Sequence, residues 1–217
     1  MTIDWSIVQM AIPLLARGTV VTLQISLVAG VLACIIGFAL GLASLSNIRP
    51  LRWVIAAYVD FVRGTPLLIQ VFLVFFALPV IGIRFDEIVA GIIALAFNTS
   101  AYIAETVRGG VGSVERGQTE AAKSIGMFRW QILTYILLPQ ALRPMLPPLT
   151  NELISMTKNT SLLSVISVYE LTRAGQAIIS VHFVPFEIYL LLALYYYALI
   201  KALSYLSRWI ESRMPAL

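Results

Sequence analysis

From Thr19 to Leu45 the chain carries no charged residue. A run this long and apolar has one stable destination. A bilayer's hydrocarbon core, about 30 Å thick, takes roughly 20 residues of helix, with every backbone N–H and C=O paired inside the segment. The stretch therefore reads as a membrane-spanning helix. Composition agrees: of 217 residues, 59% are hydrophobic and 12% charged, with mean hydropathy +0.90. That excludes a soluble globular chain. The length allows about five or six spans on short loops and no separate soluble domain.

Several function classes drop out at once. The net charge of +4 comes from basic residues scattered along loops, whereas a nucleic-acid footprint would gather them on one face, so no nucleic-acid partner is expected. Cys34 lies in an apolar run and, as the single cysteine, can form no disulfide within the chain. His182 has no cysteine or second histidine nearby, so no metal site is expected. No nucleophile–base arrangement stands out, and no phosphate-binding G-x-x-x-x-G-K-[ST] loop occurs. An energy source has to come from a partner or an ion gradient.

Residues 2–17 mix Asp4, Gln9, Pro13 and Arg17 with apolar positions and read as an interfacial lead-in, with Trp5 at the membrane surface. No cleaved signal peptide is expected, because the start lacks a charged region and the apolar run that follows is too long. Five spans are expected, at about 19–45, 51–83, 88–107, 132–156 and 186–210, making residues 1–217 one all-α, polytopic transmembrane domain. Gly37 and Gly41 form a G-x-x-x-G pair that fits either a dimer interface or packing within one subunit. In the second segment an amphipathic part bearing Arg52, Asp60 and Arg63 precedes Leu67–Ile81, read as apolar throughout. Asp60 and Arg63 are spaced to pair on one helix face, and Pro66 should kink or restart the helix. The fourth span holds Pro139, Pro144, Pro147 and Pro148 and is expected to be kinked or broken. Leu162–Val168 is too short to cross and reads as a re-entrant or surface helix. Outside the spans, nine cations (Arg49, Arg52, Arg108, Arg116, Lys123, Arg129, Lys201, Arg208 and Arg213) face four (Arg17, Arg84, Lys158 and Arg173). That asymmetry puts residues 108–131 and the C-terminus in the cytoplasm and the N-terminus outside.

The polar interruption from Arg108 to Gln131 separates two apolar segments. Glu115–Ile125 favours a short helix, and Gly126 suits its C-terminal stop. Ala121, Ala122 and Gly126 leave a low face fit for a groove on another protein. The order Glu120-Ala121-Ala122, three residues, Gly126, nine residues, then Ile136-Leu137-Leu138-Pro139 resembles the signature loop of membrane subunits of bacterial ATP-binding-cassette importers. Arg63-Gly64-Thr65-Pro66 is similar to a signature of the polar amino-acid branch of that family. The resemblance covers essentially the whole chain. It implies a type I importer permease with residues 108–131 as the coupling loop. Its expected partners are separate ATPase subunits that use ATP and Mg²⁺, a second permease subunit (the same chain or a homologue) and an extracellular or periplasmic amino-acid-binding protein. The chain itself would bind no cofactor, catalyse no reaction and sit in the bacterial plasma membrane.

A carboxylate near mid-bilayer costs about 2.5–3.5 kcal/mol on insertion scales. Glu152 therefore has to face water, a cation or a ligand. Asn98, Thr99 and Ser100 lie at a similar depth on the third span, so the four are candidates for a polar chamber. The resemblance adds Lys158 and Thr160, in Lys158-Asn159-Thr160-Ser161, to the translocation path, and the acid at 152 leans towards cationic substrates. An ion pair of Glu152 with Arg143 or Lys158 stands beside that reading. For Arg63 and Pro66 a structural kink stands beside a role in gating, and Pro139 belongs with them as a structural residue. A transporter driven by an ion gradient, or a passive channel, is the alternative function. It is disfavoured by an odd number of spans and by the lack of an inverted repeat.

Overall fold

The computed structural model describes residues 5–213, and among these there is no strand. Helix α1 runs from Trp5 to Ser44, 40 residues, roughly 60 Å at 1.5 Å per residue. Its buried positions Ala11, Leu15, Gly18, Thr22, Ile25, Ala29, Ala33, Gly37 and Gly41 recur every three or four residues and form one stripe. Residues 5–17, expected as a separate lead-in, are instead the first turns of α1 itself. Arg17 lies on the exposed side, so the stripe passes it unbroken. The remainder of that lead-in, Thr2 to Asp4, lies outside the described residues.

Helix α2, Arg49–Gly64, ends at Thr65-Pro66. Helix α3, Leu67–Phe72, continues as a π-helical turn, Leu73–Ala77, and a 3₁₀ turn, Leu78–Ile81. The two arms bend by 109° at the break. Helix α4, Glu87–Gly112, starts under an Asp86 cap whose Oδ1 accepts from the Val89 N–H at 2.8 Å. It carries buried residues along nearly its whole length and is the axis of the bundle. Helix α5 is Arg116–Ser124. Helix α6, Arg129–Gln131, runs through a π-helical turn, Ile132–Leu137, into α7, Leu138–Asn159. Pro144, Pro147 and Pro148 do not break α7. Gln140 Nε2 donates to Ile136 O at 2.9 Å, and Thr150 Oγ1 donates to Leu146 O at 3.1 Å, side-chain bonds onto the helix backbone beside the prolines.

A 3₁₀ turn, Thr160–Ile166, follows. Leu163 and Val168 have no exposed surface and join the core between α1 and α4, so this segment is not a surface helix. Helices α8, Leu171–His182, and α9, Pro185–Arg213, close the described chain. By length and apolar content α1, α4 and α9 can each cross a bilayer, and the bent α2–α3 pair makes a fourth if counted as one. The expected span at 132–156 is helical but falls outside that group. Its four prolines, Arg143 and Glu152 lower its apolar content.

Small residues set the closest contacts. A Cβ on Gly37 would stand 2.6 Å from Ile103 Cβ, and one on Gly41 2.6 Å from Val107 Cβ. The G-x-x-x-G pair thus seats α1 on α4 of the same chain.

A second tie, through Glu170, was not anticipated from the sequence. Glu170 is fully buried. Its Oε1 accepts from the Arg173 N–H at 2.8 Å, capping α8, and its Oε2 accepts from Tyr196 Oη on α9 at 2.9 Å. Thr22 on α1 donates to the same oxygen at a longer 3.5 Å while its Oγ1 accepts the Leu171 N–H at 3.2 Å. One carboxylate therefore joins three helices. Glu170→Ala orphans those donors, at about 1–3 kcal/mol per buried group, and should lower the thermal unfolding midpoint of the detergent-purified subunit. Glu170→Gln, which keeps an acceptor, should lose less; a wild-type midpoint for the alanine variant would show the tie carries no stability.

Candidate functional site

Where α2 breaks before Pro66, freed carbonyls need donors. Gln70 Nε2 supplies them, 2.8 Å from Val62 O and 3.1 Å from Thr65 O. Its Oε1 accepts from Asn98 Nδ2 on α4 at 3.0 Å. Gln70 is 8% exposed, so Leu67–Ile81 is not wholly apolar as read from sequence. A lone amide in such a run was the available signal, because membrane-buried polar groups are retained for a purpose.

Against this clamp lies a cavity of about 360 Å³ lined by Thr65, Pro66, Asn98, Thr99, Tyr102, Glu152 and Asn159, among others. That size falls within the roughly 300–1,000 Å³ usual for small-molecule sites. Three of the predicted chamber residues, Asn98, Thr99 and Glu152, meet here on α4 and α7. Asn98 spends one amide hydrogen on Gln70; its Oδ1 has no protein partner among the described residues. Glu152 is half-buried and forms no ion pair among the described residues, with either Arg143 or Lys158. The other three lie elsewhere. Ser100 is fully buried and bonds Tyr58 Oη at 2.7 Å. Thr160 is buried, donating to Thr157 O at 2.9 Å. Lys158 is exposed outside the lining.

Tyr102 also belongs to the wall of a larger cavity, about 1,100 Å³, whose charged lining is Arg52, Asp60, Arg63, Glu105 and Arg108. Glu105 and Arg108 pair with each other, Arg108 Nε donating to Glu105 Oε2 at 2.9 Å. The expected Asp60–Arg63 pair does not form. The Arg63 guanidinium instead lies over the Tyr102 ring, 5.4 Å from its centroid. Pro66 caps α3 and Pro139 sits in the first turn of α7, each next to an irregular turn.

The polar loop is built as its residues suggest, with one reversal. Glu115 takes the N-cap position of α5. At the other end Gly126 adopts φ +79°. The Gly126 N–H bonds Lys123 O at 3.0 Å and the Met127 N–H bonds Ala122 O at 3.1 Å, the Schellman pattern for ending a helix. Glu120 and Ala121 are exposed, but Ala122 turns inward and is 4% exposed, so it cannot belong to an outward small-residue face. The outward apolar surface comes instead from Ile125, Phe128, Trp130 and Tyr135, 78%, 69%, 59% and 64% exposed. Sequence reasoning passed over these because it weighed the small residues of the motif.

A broken helix beside a half-buried carboxylate, inside an apolar bundle with a basic protruding loop, defines a membrane transport subunit. The family comparison makes that specific. The model of the binding-protein-dependent transport system inner membrane component matches residues 33–215, and the chain belongs to this family. It is 40% identical to the glutamine transport system permease protein GlnP of Escherichia coli, over 100% of both chains. It is 32% identical to the arginine transport system permease protein ArtQ of Bacillus subtilis, over 100% of this chain and 99% of that one. The crystal structure of an amino acid ABC transporter with histidines superposes with a TM-score of 0.92 at 36% identity, covering 99% of this chain and 100% of that one.

The loop geometry yields a direct test. Valine at 126 would hold a branched residue in the left-handed region, at roughly 1–2 kcal/mol or more. That corresponds to about a 5- to 30-fold rise in the frayed population of the α5 end. Trypsin should then cut after Lys123 and Arg129 several-fold faster in Gly126→Val than in wild type; equal rates would mean the turn does not hold the helix.

Proposed function

We propose that this chain is the translocation subunit of an ATP-driven importer of polar amino acids, selecting a cationic group through Glu152. The observation that carries the reading is a half-buried carboxylate lining a cavity beside Asn98 and Thr99, with no cation paired to it among the described residues, in a chain of this family. Relatives named for glutamine and arginine support an amino-acid substrate. Asn98 Oδ1 is placed to accept from the α-ammonium, and Glu152 accepts an ammonium or guanidinium through charge-assisted hydrogen bonds. The chain works as a single domain with five crossings, N-terminus outside and C-terminus in the cytoplasm. Two permease subunits, identical or homologous, pair with two ATPases that use ATP and Mg²⁺, and a periplasmic or lipid-anchored binding protein delivers the substrate. The surface of α5 with Ile125, Phe128 and Trp130 docks on the ATPase.

Two measurements test this. Glu152→Gln removes a charged hydrogen-bond partner worth about 1.5–3 kcal/mol. Uptake of arginine or lysine into vesicles should fall about tenfold or more while glutamine uptake persists; equal loss of both makes Glu152 structural. Glu120→Arg should abolish co-purification of the ATPase, and retention of a stoichiometric ATPase would remove α5 from the contact.

A further inference from the structure

In a continuous helix the Val62 carbonyl would accept from the N–H of the residue four positions on. That residue is Pro66, which has none. Gln70 Nε2 takes its place at 2.8 Å and also reaches Thr65 O at 3.1 Å and Thr65 Oγ1 at 2.9 Å. A backbone carbonyl accepts and never donates, so Val62 and Thr65 decide which end of the Gln70 amide points at the break. The opposite end, Oε1, is then turned to α4, where it meets Asn98 at 3.0 Å. An amide oxygen is matched only by a donor, and that fixes Asn98 in turn, with Nδ2 towards Gln70 and Oδ1 away from it. Gln70 and Asn98 are 8% and 7% exposed, so a mismatch at either amide would go unrelieved by water. Among the described residues the buried side-chain oxygens and nitrogens without a partner are the Ser26 and Ser46 hydroxyls. Asn98 Oδ1, to which no protein group there donates, is not one of them; it keeps surface open to the cavity that its residue lines.

We propose that Gln70 is a positioning residue for selectivity: through it the break at Pro66 presets the Asn98 amide to offer the cavity an acceptor and not a donor. The substrate class so selected carries an ammonium beside its carboxylate and is held through the ammonium. The proposal rests on the reading in which Asn98 accepts from the α-ammonium. An unconstrained asparagine turns about its last side-chain bond and exchanges NH₂ for oxygen, which would let it serve a carboxylate as readily as an ammonium. Gln70 removes that freedom before substrate arrives, and a pre-set group binds without the ordering cost. Gln70 itself is not part of the cavity wall, so it acts through Asn98.

Binding to the subunit co-purified with its ATPase in detergent tests this with two probes. One is radiolabelled L-arginine. The other, used as competitor, is its des-amino analogue δ-guanidinovalerate, which keeps the guanidinium and carboxylate and lacks only the α-ammonium. The wild type should prefer arginine about tenfold or more, the effect of one hydrogen bond to a charged group. Gln70→Met, close to glutamine in length and volume, should reduce that preference about tenfold. Adding Asn98→Asp, in which either oxygen accepts, should restore it. The proposal is overturned if Gln70→Met weakens both probes alike or leaves the preference as it was, or if Asn98→Asp fails to restore it. Asn98→Asp by itself reads the orientation without altering the break. It sets a carboxylate against Gln70 Oε1, so it should lower the thermal unfolding midpoint further than Asn98→Leu does. A midpoint equal to or above that of Asn98→Leu shows that Gln70 turns freely, and it overturns the proposal even where Gln70→Met does not assemble. A wild type that binds both probes equally, or an Asn98→Leu variant that keeps the preference, removes Asn98 from the chamber, which is a failure of the underlying reading.

Discussion

The seam between α1 and α4 is the contact on which the rest is mounted. Backbones come close there because Gly37 and Gly41 present no side chain to Ile103 and Val107. In lipid no hydrophobic drive pulls helices together, so packing at close range and hydrogen bonds must supply the association. Once α4 is held along the stripe of α1, its opposite face can be spared for function. Asn98, Thr99 and Tyr102 stand on that helix at the cavity, and Glu105 on the same helix lines the larger space. A side chain on Gly37 would move the axis of the bundle and every chamber group carried by it.

Polar groups inside the bundle fall into two kinds, and the difference separates scaffold from site. Glu170 and Gln70 have their lone pairs and protons occupied: Glu170 by Arg173, Tyr196 and Thr22, Gln70 by Val62, Thr65 and Asn98. Such groups bind helices together and have little left for a ligand. Glu152 and the oxygen of Asn98 face the cavity without protein partners among the described residues. Burial alone does not mark a ligand site here; an unspent bonding capacity aimed into a cavity does. Glu170 is more deeply buried than Glu152, and it is the less available of the two.

Much of this was legible before any coordinates. The apolar run from Thr19, the stop at Gly126, the break at Pro66 and the meeting of Asn98, Thr99 and Glu152 all follow from local rules. Three of the failures share a cause: they needed to know which face of a helix a residue occupies. Residues 5–17 looked too polar to belong to the first helix, but Arg17 faces outward while Ala11, Leu15 and Gly18 carry the buried stripe onward. Ser100 is adjacent to Thr99, yet a rotation of about 100° per residue sends it to Tyr58 instead of the cavity. Ala122 is turned inward for the same reason. Glu170 escaped notice because its partners, Thr22 and Tyr196, lie 148 and 26 residues away in the chain.

The two candidate surfaces are joined by the shortest covalent route the fold provides. Asn98 lies on α4 and Glu152 on α7, and the segment between those helices is the exposed loop containing α5. A partner that grips Ile125, Phe128 and Trp130 therefore holds the ends of both chamber-bearing helices at once. Displacement of α5 need not travel through a chain of side chains. On the proposed coupling, movement of α5 would tilt α4 and α7 and alter their separation at the level of Asn98 and Glu152. The π-helical turn Ile132–Leu137 sits between the grip and the chamber on one arm only, that of α7. Its i→i+5 hydrogen-bond register interrupts the α-helical ladder there, whereas the α4 arm is seated on α1 through Gly37 and Gly41. Glu152 is therefore carried by the arm with the interrupted ladder and Asn98 by the arm held against α1.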